Sequence, residues 1–488
     1  MRPGRHSGAR AALCRGGLPG VAGRRFPCQS GWDRRADGGS AGRRPLTGES
    51  AISRPNILCI ISDDHGYGDI SWEGGNEDVH TPNLERLAAR GVSFRQGYVS
   101  APICSPSRRG LITGAYQQRW GGRWFDTSAF PPPERPTMPE LLGQLGYRTG
   151  YFGKIHYGSS DDYGTRSCPD RHGFREAFYG LASLSMGGLH YMRHSEQDVV
   201  EYGPERAKVH GVQPMVHNGE KVDCHEHLTI EFARRAVDFM SDPGQGLGEG
   251  QQEDEERPFF CMVAFNAVHN FTWQLPQWKL DERGLPSHPE FDPDTSDYLD
   301  WYDGAIWPNL DHGREYYLGQ LELMDAQIGR LLDHLEETGQ IDNTLIVYLT
   351  DNGGSTCNFG NNAPLAGTKY TLHEGGVRVP YVIAGPDVKE PGSRSQALVS
   401  SLDLLPTFVA AAGVRCLRTS PSTGSTSARC FGGRVRRPTT SCSSTPVSSG
   451  RCGPRSGSCG GLAASPVRGA RSSRSSTPTS ARGGIFTP

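Results

Sequence analysis

Apolar runs alternate with amphipathic segments through the middle of the chain. The runs NILCIIS (56–62), PFFCMVAFNA (258–267) and TLIVYLT (344–350) have the length and apolar character of buried strands. A helix is predicted from about Arg314 to Glu337, because apolar residues recur there at spacings of three and four. That stripe consists of Leu321, Met324, Ile328, Leu331 and Leu335. Alternating strands and helices predict an α/β fold with a parallel sheet covered by helices.

Local signals mark the ends of two further helices. Thr81 before Pro82 predicts a capped start, and Gly91 predicts the end of the same helix. Another helix begins near Thr137 and leads into the strand YRTGYFG (147–153). The aromatic segment 272–311 contains too much Pro and Asp for a regular element. We expect a loop, which either covers an active site and stacks on a sugar or aryl group, or packs on the body as a surface excursion.

Charge is distributed unevenly along the 488 residues. Residues 51–415, the expected catalytic α/β domain, contain 30 Lys and Arg against 50 Asp and Glu, a net charge of −20. This balance argues against nucleic acid as a partner, because phosphate binding needs clustered cations. Residues 1–50, with ten Arg and three acids, are expected to be a disordered or spurious extension. No segment has the length of a membrane span or the apolar core of a signal peptide, which leaves a periplasmic or extracellular location open if the true start lies elsewhere.

The last part of the chain, 416–488, has low complexity. It contains eleven Arg but no Asp, Glu, Lys, His, Asn, Gln, Tyr, Trp or Met. One interpretation is a disordered tail rich in Ser, Arg and Gly. The other is a frameshift, which we favour because disordered tails normally keep several of the missing polar residues. In that case a small C-terminal domain is lost or out of frame, and apolar surface is exposed.

The body of the chain contains six cysteines, of which one stands in a distinctive sequence. The six are Cys59, Cys104, Cys168, Cys224, Cys261 and Cys357, and none has the C-x-x-C spacing of a zinc site. Cys104 begins the string CSPSR, in which Pro106 fixes a turn and Arg108 carries a permanent positive charge. This arrangement suits an anion held beside position 104, although a single cysteine is more often a packing residue.

Polar residues follow four of the predicted strands. They are Asp63, Asp64, Lys154, His156, His269, Asp351 and Asn352. Because ligands bind at the carboxyl ends of parallel strands, we expect these side chains to converge on one rim. The carboxylate and amide oxygens among them suit Ca²⁺ or Mg²⁺ rather than zinc.

Three of these residues have the chemistry to handle an anion. Lys154 and His156 alternate along an extended segment, so both are expected on one face, where they can grip a tetrahedral anion beside a metal. His269 suits a general acid, because an unperturbed histidine pKa of ~6.5 makes both protonation states accessible near neutrality.

The motifs in their order along the chain resemble a known family. RPNILCIISDDHGYGD, CSPSR, GKIH, AVHNF, TDNGG and GTKYTLHEGGVRVP together resemble the sulfatase family, within the alkaline phosphatase-like superfamily, over nearly all of residues 54–415. The resemblance implies a large, mixed, mostly parallel sheet between helices, followed by a small C-terminal domain. One position departs from the pattern, because Ala366 precedes Gly367-Thr368-Lys369 where family members often have Arg.

The resemblance also implies an arylsulfatase-like activity, the removal of sulfate from a sulfated carbohydrate or aryl ester. Cys104 would be converted to formylglycine by a formylglycine-generating enzyme, and the hydrate would attack sulfur. The implied metal ligands, for Ca²⁺ or alternatively Mg²⁺, are Asp63, Asp64, Asp351 and Asn352. Arg108 would hold the hydrate, His156 would assist its proton transfer, Lys154 and Lys369 would bind sulfate, and His269 would protonate the leaving alcohol.

Two alternative functions are compatible with the sequence. A phosphate or phosphonate monoester hydrolase of the same superfamily would use a similar metal and anion site. A truncated sulfatase-like protein with an unmodified Cys104 would bind anions without catalysis. The sequence leaves the specific substrate, and exo or endo action, open.

Overall fold

One mixed sheet organises the residues that the computed structural model describes, which are 54–72, 76–124, 130–157, 164–182, 187–248, 250, 252, 257–292 and 294–414. The expected N-terminal extension, 1–50, and the low-complexity tail, 416–488, lie outside the described residues. Within the described ranges the strands are β1 (Asn56–Ser62), β2 (Gly91–Tyr98), β3 (Arg148–Lys154), β4 (Glu176–Gly180), β5 (Met215–His217), β6 (Glu220–Val222), β7 (Phe259–Ala264), β8 (Thr344–Thr350), β9 (Tyr381–Ala384) and β10 (Ser393–Ser400).

The centre of the sheet is parallel and its margins are mixed. The strand order is β10-β2-β9-β8-β1-β7-β3-β4-β5-β6. Strands β8, β1, β7, β3 and β4 all run parallel, while β9 is antiparallel to both β8 and β2. Strands β5 and β6 add an antiparallel hairpin at one edge. The central strands read as continuous apolar runs because both of their faces are buried, and the predicted large, mostly parallel mixed sheet is confirmed.

Helices cover both faces of this sheet. They are α1 (Pro82–Arg90), α2 (Cys104–Thr113), α3 (Met138–Gln144), α4 (Glu196–Tyr202), α5 (Pro204–His210), α6 (Leu228–Ser241), α7 (Gln277–Arg283), α8 (Tyr298–Gly304), α9 (Gly313–Glu337), α10 (Glu374–Val377) and α11 (Leu404–Ala411). Short 3₁₀ turns lie at Gln117–Trp120, Pro169–Arg171, Ile341–Asn343, Thr356–Asn358 and Ser401–Asp403. Across the described ranges, none of the helices combines the length and the apolar character needed to cross a membrane.

The side chains of β1 alternate between two hydrophobic cores. Leu58 and Ile60 pack with α1, α6 and α9, whereas Ile57 and Ile61 pack on the other face with α2, α3 and α11. The predicted apolar stripe of α9 is buried in the first of these cores. Each fully buried side chain of this size contributes roughly 1.5–3 kcal/mol of transfer free energy, so the two layers fix the sheet rigidly between them.

The two helices with predicted start signals begin where expected but are capped differently. Thr137 forms a capping box with Glu140 at the start of α3. The Thr81 hydroxyl instead shares a 2.6 Å hydrogen bond with the hydroxyl of Ser71. The carboxylate of Asp325, from α9, accepts the backbone N–H groups of residues 83 and 84. The cap of α1 is therefore supplied by a neighbouring helix rather than by Thr81.

Two local predictions need correction. The CSPSR string is the first turn of α2 rather than an isolated turn, because Pro106 occupies a position whose N–H has no partner in a helix. The aromatic segment 272–311 contains the helices α7 and α8. Rings such as Trp273 and Trp301 form a third, smaller core with Phe271. Both interpretations left open for this segment apply in part, because most of its rings pack on the body whereas Tyr302 lines the pocket that contains Cys104.

Candidate active site

The carboxyl ends of β1, β3 and β8 meet the start of α2 around one buried thiol. Cys104 is the first residue of α2, and its Sγ lies 3.5 Å from Asp63 Oδ1 and 4.0 Å from Asp64 Oδ1. The structure brings together all ten residues that the sequence singled out. None of them is more than 5% exposed: Asp63, Asp64, Cys104, Arg108, Lys154, His156, His269, Asp351, Asn352 and Lys369.

Two cations lie on one side of this cluster. Arg108 donates from Nε to Asp351 Oδ2 at 2.7 Å and from Nη1 to the carbonyl of Lys154 at 2.9 Å. Its Nη2 lies 3.4 Å from Asp63 Oδ2, and the ammonium of Lys154 pairs with the same carboxylate. Burial alone would raise the pKa of Asp63, but Lys154 and Arg108 hold it below its usual range. Asp63 therefore stays ionised between two buried cations.

A third cation lies on the other side. Lys369 Nζ is 2.7 Å from Asp64 Oδ2 and 3.0 Å from His269 Nε2. Burial lowers the pKa of His269 well below its usual range, and the charge of Lys369 lowers it further. The neutral imidazole is consequently favoured here. This differs from the sequence expectation that both protonation states of His269 are accessible near neutrality, because the unperturbed pKa ignores burial and Lys369.

His156 reaches the pocket by a different route from the one expected. Strand β3 ends at Lys154, and His156 has a left-handed backbone with φ of 49°, so the expected extended alternation of the two residues is wrong. His156 nevertheless lines the same pocket as Cys104. Gly187, with φ of 61°, packs against the imidazole, and a Cβ there would lie 2.7 Å from His156 Cε1. The pocket therefore needs glycine at 187 to hold this histidine.

Several ligand atoms lie close enough to surround a cation. One ligand atom from each of Asp63, Asp64, Cys104 and His269 lies within 4.8 Å of all the others. Asp351, one of the four ligands implied by the sequence, is outside this compact group and directs Oδ2 to Arg108. Its Oδ1 faces the backbone N–H of Asp64 at 3.4 Å.

Asn352 supplies an oxygen that lacks a hydrogen bond. Its Nδ2 donates to Asp64 Oδ1 at 2.6 Å, whereas its buried Oδ1 accepts no hydrogen bond within the described part of the chain. Burial and the nearby charge of Asp63 raise the pKa of Asp351 to about 7. An unsatisfied amide oxygen among crowded, buried carboxylates is costly without a positive partner. This set of donors fits a hard divalent cation.

Asp69 holds the loop that follows β1. Its carboxylate accepts hydrogen bonds from the hydroxyl of Tyr317, from Arg314 Nη2 and from the N–H of Asn361, each at 2.7 Å. Its carbonyl lies 2.6 Å from a ring nitrogen of His65, the residue after Asp64. The sequence analysis assigned no role to Asp69, which is the last residue of the DDHGYGD string. An acidic residue within a motif that also holds Asp63 and Asp64 could have indicated a supporting role.

Glycine contacts join two of the motifs. A Cβ at Gly353 would lie only 1.8 Å from the carbonyl oxygen of Gly375, and the Gly353 N–H donates to the carbonyl of Gly376 at 3.1 Å. The Lys369 N–H donates to the carbonyl of Gly354 at 3.1 Å. The TDNGG segment and the GTKYTLHEGG segment thus pack backbone to backbone, which places Lys369 beside the end of β8.

The pocket has further lining residues that sequence reasoning missed. They include Asn270, Ser355, Cys357 and Tyr370. Tyr302, which also lines the pocket, belongs to the aromatic segment for which covering an active site was one of the two interpretations. Asn270 directly follows His269 and Tyr370 directly follows Lys369. Their position next to predicted site residues could have indicated that they line the pocket. Tyr302 reaches the pocket from α8, where its hydroxyl accepts a hydrogen bond from Asn270 Nδ2 at 3.1 Å. No local pattern marks Cys357.

Comparison with known proteins agrees with these motifs. The family model described as Sulfatase matches residues 55–414. The chain belongs to the sulfatase family. Arylsulfatase A from Bos taurus is 31% identical over 385 residues, covering 75% of this chain and 66% of that protein. Arylsulfatase J from Mus musculus is 29% identical over 375 residues, covering 76% of this chain and 54% of the mouse protein. The sulfatase class predicted from the sequence is confirmed at the level of the family.

A solved structure supports the fold. The crystal structure of Ps i-CgsB in complex with k-i-k-neocarrahexaose is similar with a TM-score of 0.62 and 29% identity. The similarity covers 78% of this chain and 76% of that one. This chain spans little more than half of the mouse sulfatase named above, so family membership applies to the matched residues, 55–414.

Proposed function

We propose that this sulfatase-family protein hydrolyses sulfate monoesters of sugars or aryl alcohols at the pocket around residue 104. The observation that carries the proposal is the placement of three buried cations, Arg108, Lys154 and Lys369, around one buried thiol at the start of a helix. Buried charges are costly unless they have a partner or a task. A sulfate group offers oxygens to such cations in a pocket whose charged side chains are buried.

We propose that residue 104 acts after conversion of Cys104 to formylglycine by a formylglycine-generating enzyme. Burial raises the pKa of the Cys104 thiol, and the charge of Asp63 raises it further. The thiolate, which is the nucleophilic form of cysteine, is thereby disfavoured. Hydrated formylglycine supplies a hydroxyl nucleophile instead. Arg108 is four residues further along α2, on the same helix face, so it can hold that hydroxyl.

Asp63, Asp64, Asp351 and Asn352 would hold Ca²⁺, with Mg²⁺ as the alternative ion. The unsatisfied Oδ1 of Asn352 and the raised pKa of Asp351 support this choice. Bound Ca²⁺ would polarise the sulfate oxygens and stabilise negative charge in the transition state.

The remaining residues bind the sulfate and move protons. Lys154 and Lys369 would contact sulfate oxygens from opposite sides of the carboxylate cluster. Burial and Lys154 lower the pKa of His156 well below its usual range, and a neutral imidazole suits a base that accepts the proton of the hydroxyl at residue 104. His269 would protonate the leaving alcohol, since a bound anion beside it favours the imidazolium.

The test is to produce the chain with and without a formylglycine-generating enzyme. Mass spectrometry of the peptide that contains residue 104 should detect the aldehyde only in the first preparation, and only that preparation should release sulfate from aryl and sugar sulfates. Matched phosphate esters measure the alternative activity. Sulfate release by a preparation that retains the thiol in every molecule would contradict the proposed nucleophile, and faster phosphate release would favour the phosphatase alternative.

A further inference from the structure

Two exposed aromatic rings lie together beside the mouth of the pocket. Tyr370 lines the pocket with Cys104 and Lys369, and the tyrosine is 50% exposed. Trp124 is 41% exposed, and its ring centroid lies 6.0 Å from that of Tyr370, with the planes inclined at 40°. Large apolar rings left half exposed at the edge of a polar pocket are available to cover part of a ligand.

The backbone around Tyr370 fixes its position. Tyr370 has a left-handed conformation with φ of 71°, and its N–H donates to the carbonyl of Pro102 at 2.8 Å. The ammonium of Lys369 lies 5.4 Å from the centre of the Tyr370 ring. A bulky residue keeps such a conformation only where its surroundings hold it, and these positions cluster at functional sites. The ring is thus held at a set distance from the proposed sulfate-binding ammonium.

The aromatic segment 272–311 brings one ring to the pocket, that of Tyr302 in α8, whose hydroxyl is held by Asn270 Nδ2 at 3.1 Å. Trp273 and Trp301 pack against each other with centroids 5.8 Å apart, and Tyr298 packs against Trp301 at 5.9 Å. Trp278 is 53% exposed in α7 and, within the described ranges, does not share the contact with the Tyr370 ring that Trp124 makes. Apart from Tyr302, whose hydroxyl is engaged by Asn270, the exposed rings placed to meet a substrate are those of Trp124 and Tyr370.

We propose that Trp124 and Tyr370 form a stacking platform for the ring that carries the sulfate ester. The proposal rests on the function proposed above and specifies its substrates: sulfates of six-membered rings are preferred over sulfates of acyclic alcohols. Aromatic faces stack favourably on flat rings with apolar faces, a property that phenyl and pyranose rings share. Both residues determine specificity, and neither takes part in the bond-making steps.

The kinetic test compares ring and acyclic substrates. Trp124→Ala and Tyr370→Ala should lower kcat/KM for phenyl sulfate and for a monosulfated pyranose by about tenfold, equivalent to about 1.4 kcal/mol, mainly through KM. Turnover of ethyl sulfate by Trp124→Ala should stay near that of the unaltered protein, because Trp124 is not among the residues that line the pocket. Tyr370→Phe should retain the preference because it keeps the ring. Trp278→Ala, at a tryptophan of similar exposure in α7, is the matched control.

A binding test separates this proposal from the proposed activity. In a Cys104→Ala background, titration calorimetry should give a Kd for phenyl sulfate that rises about tenfold with Trp124→Ala, while the Kd for inorganic sulfate stays the same. Failure of the unaltered protein to hydrolyse any ester would contradict the proposed activity but leave this binding test intact. Equal losses for ethyl and phenyl sulfate, or no change in the Kd for phenyl sulfate, would overturn the platform. A larger loss for phenyl sulfate indicates aryl substrates, and a larger loss for the pyranose indicates sugars.

Discussion

The floor and the mouth of the pocket are built in different ways. On the floor, side chains from strand ends and from α2 are almost fully buried and joined by ion pairs, such as that between Arg108 and Asp351. At the mouth, Trp124 and Tyr370 stand in loops, about half exposed, and contact each other through their rings. We therefore expect that the proposed reaction chemistry on the sheet and the proposed substrate contacts on the loops can change independently.

The comparison predicts that changes on the floor cause the largest losses of activity. Cys104→Ala should abolish turnover, because alanine cannot be converted to the nucleophile, while the unfolding temperature should change little in a site already held by ion pairs. Sulfate release and thermal unfolding measure the two effects. Cys224→Ala, a buried cysteine away from the pocket lining, should keep its turnover. Near-normal activity of Cys104→Ala would remove residue 104 from the chemistry.

Asp351→Ala should cause the next largest effect, because it removes a proposed metal ligand and leaves Arg108 without its 2.7 Å partner. We expect turnover to fall by roughly 10²–10³-fold. Loss of one partner of a buried ion pair also costs roughly 3–5 kcal/mol of stability. After chelation, added Ca²⁺ should restore the unaltered protein but not the variant. Asp333→Ala, which removes an exposed partner of Arg86, is the control; a Ca²⁺ response that survives Asp351→Ala would exclude this residue as a ligand.

Asp69→Asn tests the contacts that hold the loop after β1, which carries Asp63 and Asp64. The amide has the size of the carboxylate but places a donor among three existing donors, so we expect a stability loss of ~1–3 kcal/mol in urea unfolding. Because the loop of Asp63 and Asp64 would loosen, the Ca²⁺ concentration for half-maximal activity should rise by roughly tenfold. Asp78→Asn changes a more exposed partner of the same arginine, Arg314, and should alter neither quantity. Equal effects of the two variants would show that Asp69 has no special role.

Acid should destabilise the fold through buried histidines that do not line the pocket. Burial lowers the pKa of His172 to about 4 and that of His227 to about 3. In the unfolded chain these histidines bind protons below their ordinary pKa of ~6.5. In the folded chain they bind protons only when the pH reaches their lowered pKa values. Each buried histidine therefore makes its full contribution to the free energy of unfolding above about pH 6.5. That contribution is lost as the pH falls toward 4, by up to about 1.4 kcal/mol for each pH unit.

Urea unfolding at pH 7.5 and pH 5 measures this loss. His227→Gln should reduce the acid sensitivity, since glutamine can retain a donor toward the carbonyl of Gln274 without titrating. His373→Gln, at an exposed histidine, should leave it unchanged. An acid sensitivity that is identical in the two variants would contradict the assignment to buried histidines.

The sequence predicted the floor better than the mouth for a physical reason. Strands such as β1 and β8 are continuous apolar runs, so their ends, and the acids that follow, can be read from local pattern. The register of the parallel strands then brings Asp63 and Asp351 to one rim. The contact of Trp124 with Tyr370 joins distant parts of the chain and leaves no local pattern.

The wrong predictions share a cause, which is that tertiary contacts override local signals. Asp325 caps α1 although Thr81 stands at the usual capping position. Helices α7 and α8 form within a segment rich in Pro and Asp because their apolar residues, such as Leu280, join a small core. His156 is left-handed rather than extended, beside a glycine that leaves room for its ring.

The burial of Cys104 sets an order of events. The residue is 1% exposed, and all ten residues of α2 are buried. A modifying enzyme needs the side chain in its own active site, so the conversion we propose has to precede the folding of this helix against the sheet. Folding and modification then compete in time. A molecule that folds first keeps its thiol for as long as it stays folded, and the active fraction of a preparation records which process was faster.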